Sequence, residues 1–293
     1  MIPCIPARSF GMLKPLLAAC TLALTAPAAI AACATDAEIS AFTESYLAKT
    51  PARALSPGGS MQDALCSQAK LALAMEPIMG PVVGYKAGLT SKPAQDLFGA
   101  TEPVQGVLYQ NMMLEDGATL DAPWGAIPMV EADLVLVVAD EAINGATTPA
   151  EALAHISAIR PFIELPDLTL AKGQPFTAET ITAMGVGTRL GVLGAPLPVE
   201  DPAAMARMLE EMSVTMRDAA GGILVQAPGR AVLGNPVNAA LWLRSKGVVF
   251  KAGDLISVGS FGPLFPPQKT KGGVSVTYQG LPGDPVVEVF FPE

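Results

Sequence analysis

Between Val130 and Val138 the chain reads Val-Glu-Ala-Asp-Leu-Val-Leu-Val-Val, a run rich in Val and Leu that is the clearest strand in the sequence. Its carboxylates, Glu131 and Asp133, sit two residues apart. Strand periodicity puts both on one face, about 7 Å apart along the chain. Val135 and Val137 continue that face, so it turns apolar and is expected to be buried. Any fold must then accommodate two like charges that repel each other and lose hydration. A bound cation offsets both penalties. A solvated strand end is the other reading, and the pair alone does not choose between them.

Charged residues make up only 15% of the 293, so a charge inside an apolar run carries information. Glu164 is such a charge, in Phe162-Ile163-Glu164-Leu165. The intervening segment reads as a helix from Thr148 to Arg160. Thr148 is its N-cap, Pro149 stands at N1, Glu151 completes a capping box, and Pro161 stops it. A strand–helix–strand unit can return Glu164 beside the first strand. Three carboxylates without His or Cys make an all-oxygen site, which favours Mg²⁺ or Mn²⁺ over zinc. His155 is the only histidine, which excludes any site needing two. Asp167 reads as a supporting partner or an ordinary turn residue. Lys86 interrupts the apolar strand Val82–Ala87, where it either snorkels to solvent or faces a site. Gly259-Ser260-Phe261-Gly262-Pro263 is a glycine-framed turn that either cradles an oxyanion or simply turns.

At the N-terminus, Arg8 and Lys14 precede an apolar stretch from Pro15 to Ile30 that ends Ala29-Ile30-Ala31. This is the pattern of a secretory signal peptide over residues 1–31, and a periplasmic or secreted location follows as an expectation. Cys33 and Cys66 lie beyond it and can pair in an oxidising compartment. Ile30-Ala31-Ala32-Cys33 also resembles a lipobox, in which case Cys33 is acylated and the protein meets a membrane. Cleavage after Ala31 and a Cys33–Cys66 disulfide are the expectation carried forward. The formal net charge of −9 argues against nucleic acid and anionic lipid as partners.

Hydrophobic residues make up 51%, enough for a sizeable core. Helical spacing marks 36–48 and 60–75. Strands are read at 82–87, 130–138 and 162–165, near Leu190, and at 214–217, 255–258, 274–278 and 286–291. A short helix follows Ser91, and Asn235-Pro236 opens another through Leu243. Helices cluster early and strands dominate the second half. The pattern predicts an α+β fold on a curved mixed sheet, with a helical region over 32–80 and the main domain over 81–293.

The segments GYKAGLTS (84–91), VEADLVLVV (130–138), PFIELPD (161–167), GNPVNAALWL (234–243) and KAGDLISVGSFGPL (251–264) together resemble the fumarylacetoacetate hydrolase superfamily, and its 2-keto-4-pentenoate hydratases in particular. The resemblance spans roughly residues 36–293. It implies a mixed β-roll or sandwich of the fumarylacetoacetase C-terminal type, a homo-oligomer, and a role in aromatic compound catabolism. It also implies a divalent metal held by Glu131, Asp133 and Glu164, with Asp133 standing where the family more often has Glu. Lys86 falls on the family's active-site lysine, Asp167 on its E-x-x-D, and Ser260 on the turn closing the substrate pocket. The hydratases carry an Asp-Asn-Ala-Ser-like stretch where this chain has Met184 to Thr188 followed by Arg189. Polar groups of the pocket are thus replaced, and Arg189 becomes a second candidate anchor for a substrate carboxylate.

The implied reaction is a lyase step on a small unsaturated 2-oxo or 2-hydroxy acid, with the metal stabilising an enolate and Lys86 holding the carboxylate or moving a proton. A 2-oxo acid decarboxylase and an acylpyruvate C–C hydrolase are rivals within the superfamily. The hydrolase ranks lower because His155 lies in the segment after the metal strand and not in an N-terminal lid. A non-catalytic periplasmic dicarboxylate-binding protein is the rival from another class.

Overall fold

Two N-terminal helices are fixed by their own first turns. Thr35 and Glu38 form a capping box on α1 (Asp36–Leu47), and Ser60 and Asp63 form one on α2 (Met61–Met79). The computed structural model describes Met1, residues 32–121 and residues 123–292. The signal-peptide reading therefore lies outside the described residues, Met1 apart. Cys33 and Cys66 form a disulfide with their Cα atoms 5.4 Å apart, tying the segment before α1 to α2. Among the described residues no helix is long and apolar enough to cross a membrane.

The chain continues through β1 (Val82–Gly88), α3 (Lys92–Leu97), β2 (Val104–Tyr109), β3 (Met113–Glu115) and β4 (Ala118–Thr119). Then come β5 (Glu131–Val138), α4 (Pro149–Leu153), β6 (Ile156–Leu165), α5 (Ala178–Ala183), β7 (Leu190–Leu193) and β8 (Leu197–Pro198). The last part holds α6 (Pro202–Glu211), β9 (Ser213–Asp218), β10 (Ile223–Pro228), α7 (Asn238–Ser245), β11 (Leu255–Ser257), β12 (Gly273–Gln279) and β13 (Val286–Phe290). One mixed sheet runs β2-β1-β11-β5-β6-β7-β3, with β8 added to β6, and a second runs β10-β9-β12-β13-β4.

The two sheets share a core. Leu134, Leu136, Ile159, Ile163 and Val192 of the first pack in one cluster with Val214, Met216, Val276, Tyr278, Val287 and Val289 of the second. A second cluster joins Phe42, Tyr46, Leu71 and Met75 of the N-terminal helices to Leu108, Ile181 and Met184. Residues 31–293 form one compact unit, so the helical region 32–80 folds against the rest. This is the expected α+β sandwich with a helical N-terminal region.

One segment differs from its sequence reading. The helix starting at Thr148 ends at Leu153, and Ile156–Leu165 is a ten-residue strand with Pro161 inside it. β5 and β6 are therefore direct antiparallel neighbours. Pro161 fits because its missing N–H would face β7. There Gly194 N donates to Pro161 O (2.8 Å), and Gly194 O accepts from Arg160 Nε (2.9 Å) in place of the absent amide.

Candidate active site

Strand register assembles a polar face on the larger sheet, opposite the sandwich core. Glu131 pairs with Glu164 and Asp133 with Phe162 across β5 and β6, while Lys86 pairs with Ser257 across β1 and β11, and Ser257 with Val135. Directly opposed residues share a face. Lys86, Ser257, Glu131, Asp133 and Glu164 thus come from four adjacent strands onto one surface. All five are buried.

The Lys86 ammonium donates to Glu164 Oε1 and to the Val186 carbonyl (3.1 Å). Glu164 Oε2 is buried without a hydrogen-bond partner. Asp133 accepts from Leu134 N (2.6 Å) and Gly259 N (2.9 Å) at Oδ1, and from the Ser257 hydroxyl at Oδ2. Burial, and then the charge on Glu164, push the Glu131 carboxyl well above its ordinary range. Burial and the same Glu164 charge push Asp133 up to about 7, against the opposing effect of the Ser257 hydrogen bond. Three acids near one lysine in a dry place resist ionising together, which favours a proton or a cation among them.

The acids are not drawn together as a ligand set. Among the described residues no three His, Cys, Asp or Glu side chains are arranged to hold a metal ion. Lys86 takes Glu164, and Ser257 with the Gly259 amide takes Asp133. The donor chemistry nevertheless suits a hard cation, with carboxylate oxygens only and one of them, Glu164 Oε2, buried and unpartnered.

Three further residues singled out in the sequence have other work here. Asp167 accepts from Ile127 N (2.7 Å) at Oδ1, and from Ala126 N (2.9 Å) and Arg189 Nη1 (3.3 Å) at Oδ2. Its carboxylate organises the 125–127 loop, which fits the supporting role that the sequence allowed for it. Arg189 donates from the same nitrogen to Tyr46 O (2.9 Å) and lies 4.0 Å over the Tyr46 ring. It fastens α1 to the core. The Ser260 hydroxyl donates to Gly262 O (2.7 Å) and accepts from Gly262 N, so the turn uses it internally. His155 stands at the surface between α4 and β6, 2.9 Å from Asp140.

Sequence reasoning missed Ser257, Val186 and Tyr278. The Tyr278 hydroxyl reaches from β12 to the carbonyls of Asp133 and Phe162 and accepts from Phe162 N (3.2 Å), pinning β5 to β6 beside the acids. Burial raises its pKa strongly. Ser257, a hydroxyl inside an apolar strand, and Val186, inside the altered 184–188 stretch, left a trace in the sequence.

No protein-family model matches the chain. It is 31% identical over 188 residues to the 2-keto-4-pentenoate hydratase of Burkholderia vietnamiensis, covering 62% of this chain and 69% of that one. It is 29% identical over 193 residues to the 2-hydroxyhexa-2,4-dienoate hydratase of Comamonas testosteroni, covering 63% and 70%. Among solved structures, 4-oxalocrotonate decarboxylase from Pseudomonas putida G7, complexed with magnesium and adipate, superposes with a TM-score of 0.72. That match has 22% identity and covers 87% of this chain and 96% of that one. Fumarylpyruvate hydrolase from Pseudomonas aeruginosa, in complex with Mn²⁺ and pyruvate, gives 0.53 at 14% identity, covering 72% and 91%. The chain belongs to the fumarylacetoacetate hydrolase superfamily. Its sequence relatives set it on the hydratase-like branch.

Proposed function

We propose that the chain is a divalent-metal-dependent hydro-lyase acting on a small unsaturated 2-oxo or 2-hydroxy acid. The observation carrying this reading is the buried face on which Lys86 meets Glu131, Asp133 and Glu164. The hydratases it resembles in sequence support the reaction type. Glu131, Asp133 and Glu164 would hold Mg²⁺ or Mn²⁺. When bound, the ion supplies positive charge to the oxygens of a 2-oxo acid.

The chain's own residues then have distinct tasks. Lys86 is the cation in contact with these acids, so it receives the substrate carboxylate or carries a proton to and from the substrate carbon. Ser257 and the Gly259 amide hold Asp133 in orientation. The apolar surroundings exclude water and strengthen each charge contact.

The test is turnover of 2-keto-4-pentenoate, followed by ultraviolet absorbance, with Mg²⁺, with Mn²⁺ and with chelator. Metal-dependent hydration is the expected result. Release of carbon dioxide from a 2-oxo diacid would move the protein to the decarboxylase reading, which the fold likeness over 87% of the chain favours as the second choice. Ligand binding without any turnover would favour a dicarboxylate-binding protein. Export rests on the pattern over residues 1–31, and an N-terminus near Ala32 on the mature protein is its test. A homo-oligomer remains part of the proposal, checked by light scattering.

A further inference from the structure

Gly185, Val186 and Gly187 all have positive φ, at 73°, 58° and 69°. Glycine adopts this region freely, but a β-branched residue there is strained and stays only where its surroundings force it. The surroundings are visible. A Cβ on Gly88 would stand 2.5 Å from Val186 Cγ1, and one on Gly106 would stand 3.1 Å from Val186 Cγ2. The isopropyl group is thus seated over two bare glycines on neighbouring strands. Gly106 is the register partner of Lys86, and Gly88 lies two residues beyond Lys86 on the same face.

The backbone groups around Val186 are largely committed elsewhere. Gly185 N donates to Thr182 O (2.9 Å), and Val186 N to Ile181 O (2.8 Å). Gly185 O accepts from Thr188 Oγ1 (2.8 Å), and Gly187 O from Asp167 N (2.9 Å). The Val186 carbonyl is left for Lys86 Nζ at 3.1 Å. A lysine on a four-carbon stem needs a second fixed acceptor to be held in one place, and this carbonyl is it.

We propose that Val186 is a positioning residue for Lys86, its side chain wedged between Gly88 and Gly106 so that its left-handed backbone presents the carbonyl to the ammonium. The catalytic weight given to Lys86 rests on the hydro-lyase reading, whereas the contact itself does not.

The test compares Val186→Ala, Val186→Gly and Val186→Thr in the full-length protein. Lys86 modification by an amine-acylating reagent is read by peptide mass spectrometry against the exposed Lys251, with turnover and Tm measured in parallel. Alanine removes the wedge and keeps the left-handed strain, so the loop relaxes and the carbonyl turns away. Glycine also removes the wedge but is at ease left-handed. Threonine keeps the branched shape. Lys86 labelling is expected to rise at least about tenfold in Val186→Ala, the factor for losing one charge-assisted hydrogen bond, less in Val186→Gly, and little in Val186→Thr. Turnover should fall in the same order. Plain packing predicts the reverse, with glycine worse than alanine because it leaves the larger hole, and that order would overturn the proposal. Unchanged labelling in a folded Val186→Ala protein would overturn it too. If alanine prevents folding, native-like labelling in Val186→Gly overturns it, and raised labelling there with native-like Val186→Thr upholds it. Full turnover in Lys86→Met removes the hydro-lyase role from Lys86 but leaves the labelling result to decide the Val186 contact.

Discussion

The ammonium of Lys86 and the carboxylate of Glu164 are 2% and 0% exposed, so neither is screened by water. Removing one member of a buried pair leaves the other uncompensated, at a cost of about 3–5 kcal/mol. Lys86→Met is therefore expected to lower Tm in metal-free buffer and to cut turnover at least ~100-fold, the scale of a lost buried charge contact. A divalent cation on the same carboxylates would supply the missing charge. Mg²⁺ or Mn²⁺ should then raise Tm more in Lys86→Met than in the native chain. An equal shift in both would argue against the acids as the metal site. Asp218 offers a separate pH test at the β9–β10 turn. Lys271, 2.8 Å from its carboxylate, and then the Gly222 amide hold its pKa below the ordinary value. A lowered folded-state pKa contributes stability above the unfolded value of ~3.9 and loses it as pH falls through the folded one. The Tm gap between native and Asp218→Asn protein is expected to be widest near neutral pH and to close in acid. A gap that stays constant with pH would remove the ionised carboxylate from the explanation.

Strands and caps carried most of what could be read at the level of elements. The β5 and β11 runs, the starts of the two N-terminal helices and the Thr148 and Ser91 caps all lie close to where local pattern placed them. The charges inside apolar strands marked Lys86, Glu131, Asp133 and Glu164 for the same local reason. Asp167, Arg189 and Ser260 were legible as unusual, but the main-chain bonds they make were not, because a side chain that bonds main chain looks in sequence like one that meets a ligand. Tyr278 reaches its partners across 145 and 116 residues of chain, which no local pattern reports. The segment after α4 was misread because Pro161 normally ends an element, and its compensation by Arg160 is visible only across β7. That compensation is testable. Arg160→Met leaves the buried Gly194 carbonyl without a donor and should cost about 1–3 kcal/mol in denaturant unfolding. Adding Pro161→Val returns an amide to face Gly194 and should recover much of the loss. An equally unstable double variant would mean that Arg160 acts through something other than that carbonyl.

Across the whole molecule, the helical region reaches the polar face by a short route. Arg189 grips Tyr46 at the end of α1, the Tyr46 hydroxyl lies 3.5 Å from Thr188 O, and Val186 two residues earlier touches Lys86. The Cys33–Cys66 disulfide secures the other end of that region by linking the chain before α1 to α2. The bond closes a loop of 33 residues. In the chain-entropy account, such a loop contributes about 3–4 kcal/mol by restricting the unfolded chain. Neither cysteine belongs to the strands that carry the polar face. Cys33→Ser with Cys66→Ser is therefore expected to shift the denaturation midpoint down by that amount while leaving turnover per folded molecule at 25 °C unchanged. Reductant should shift the native protein in the same direction and leave the double variant where it is. A midpoint indifferent to reductant, together with an acyl mass on Cys33, would mean that this cysteine anchors the protein to a membrane and that the helical region is held by Arg189 and its apolar packing alone.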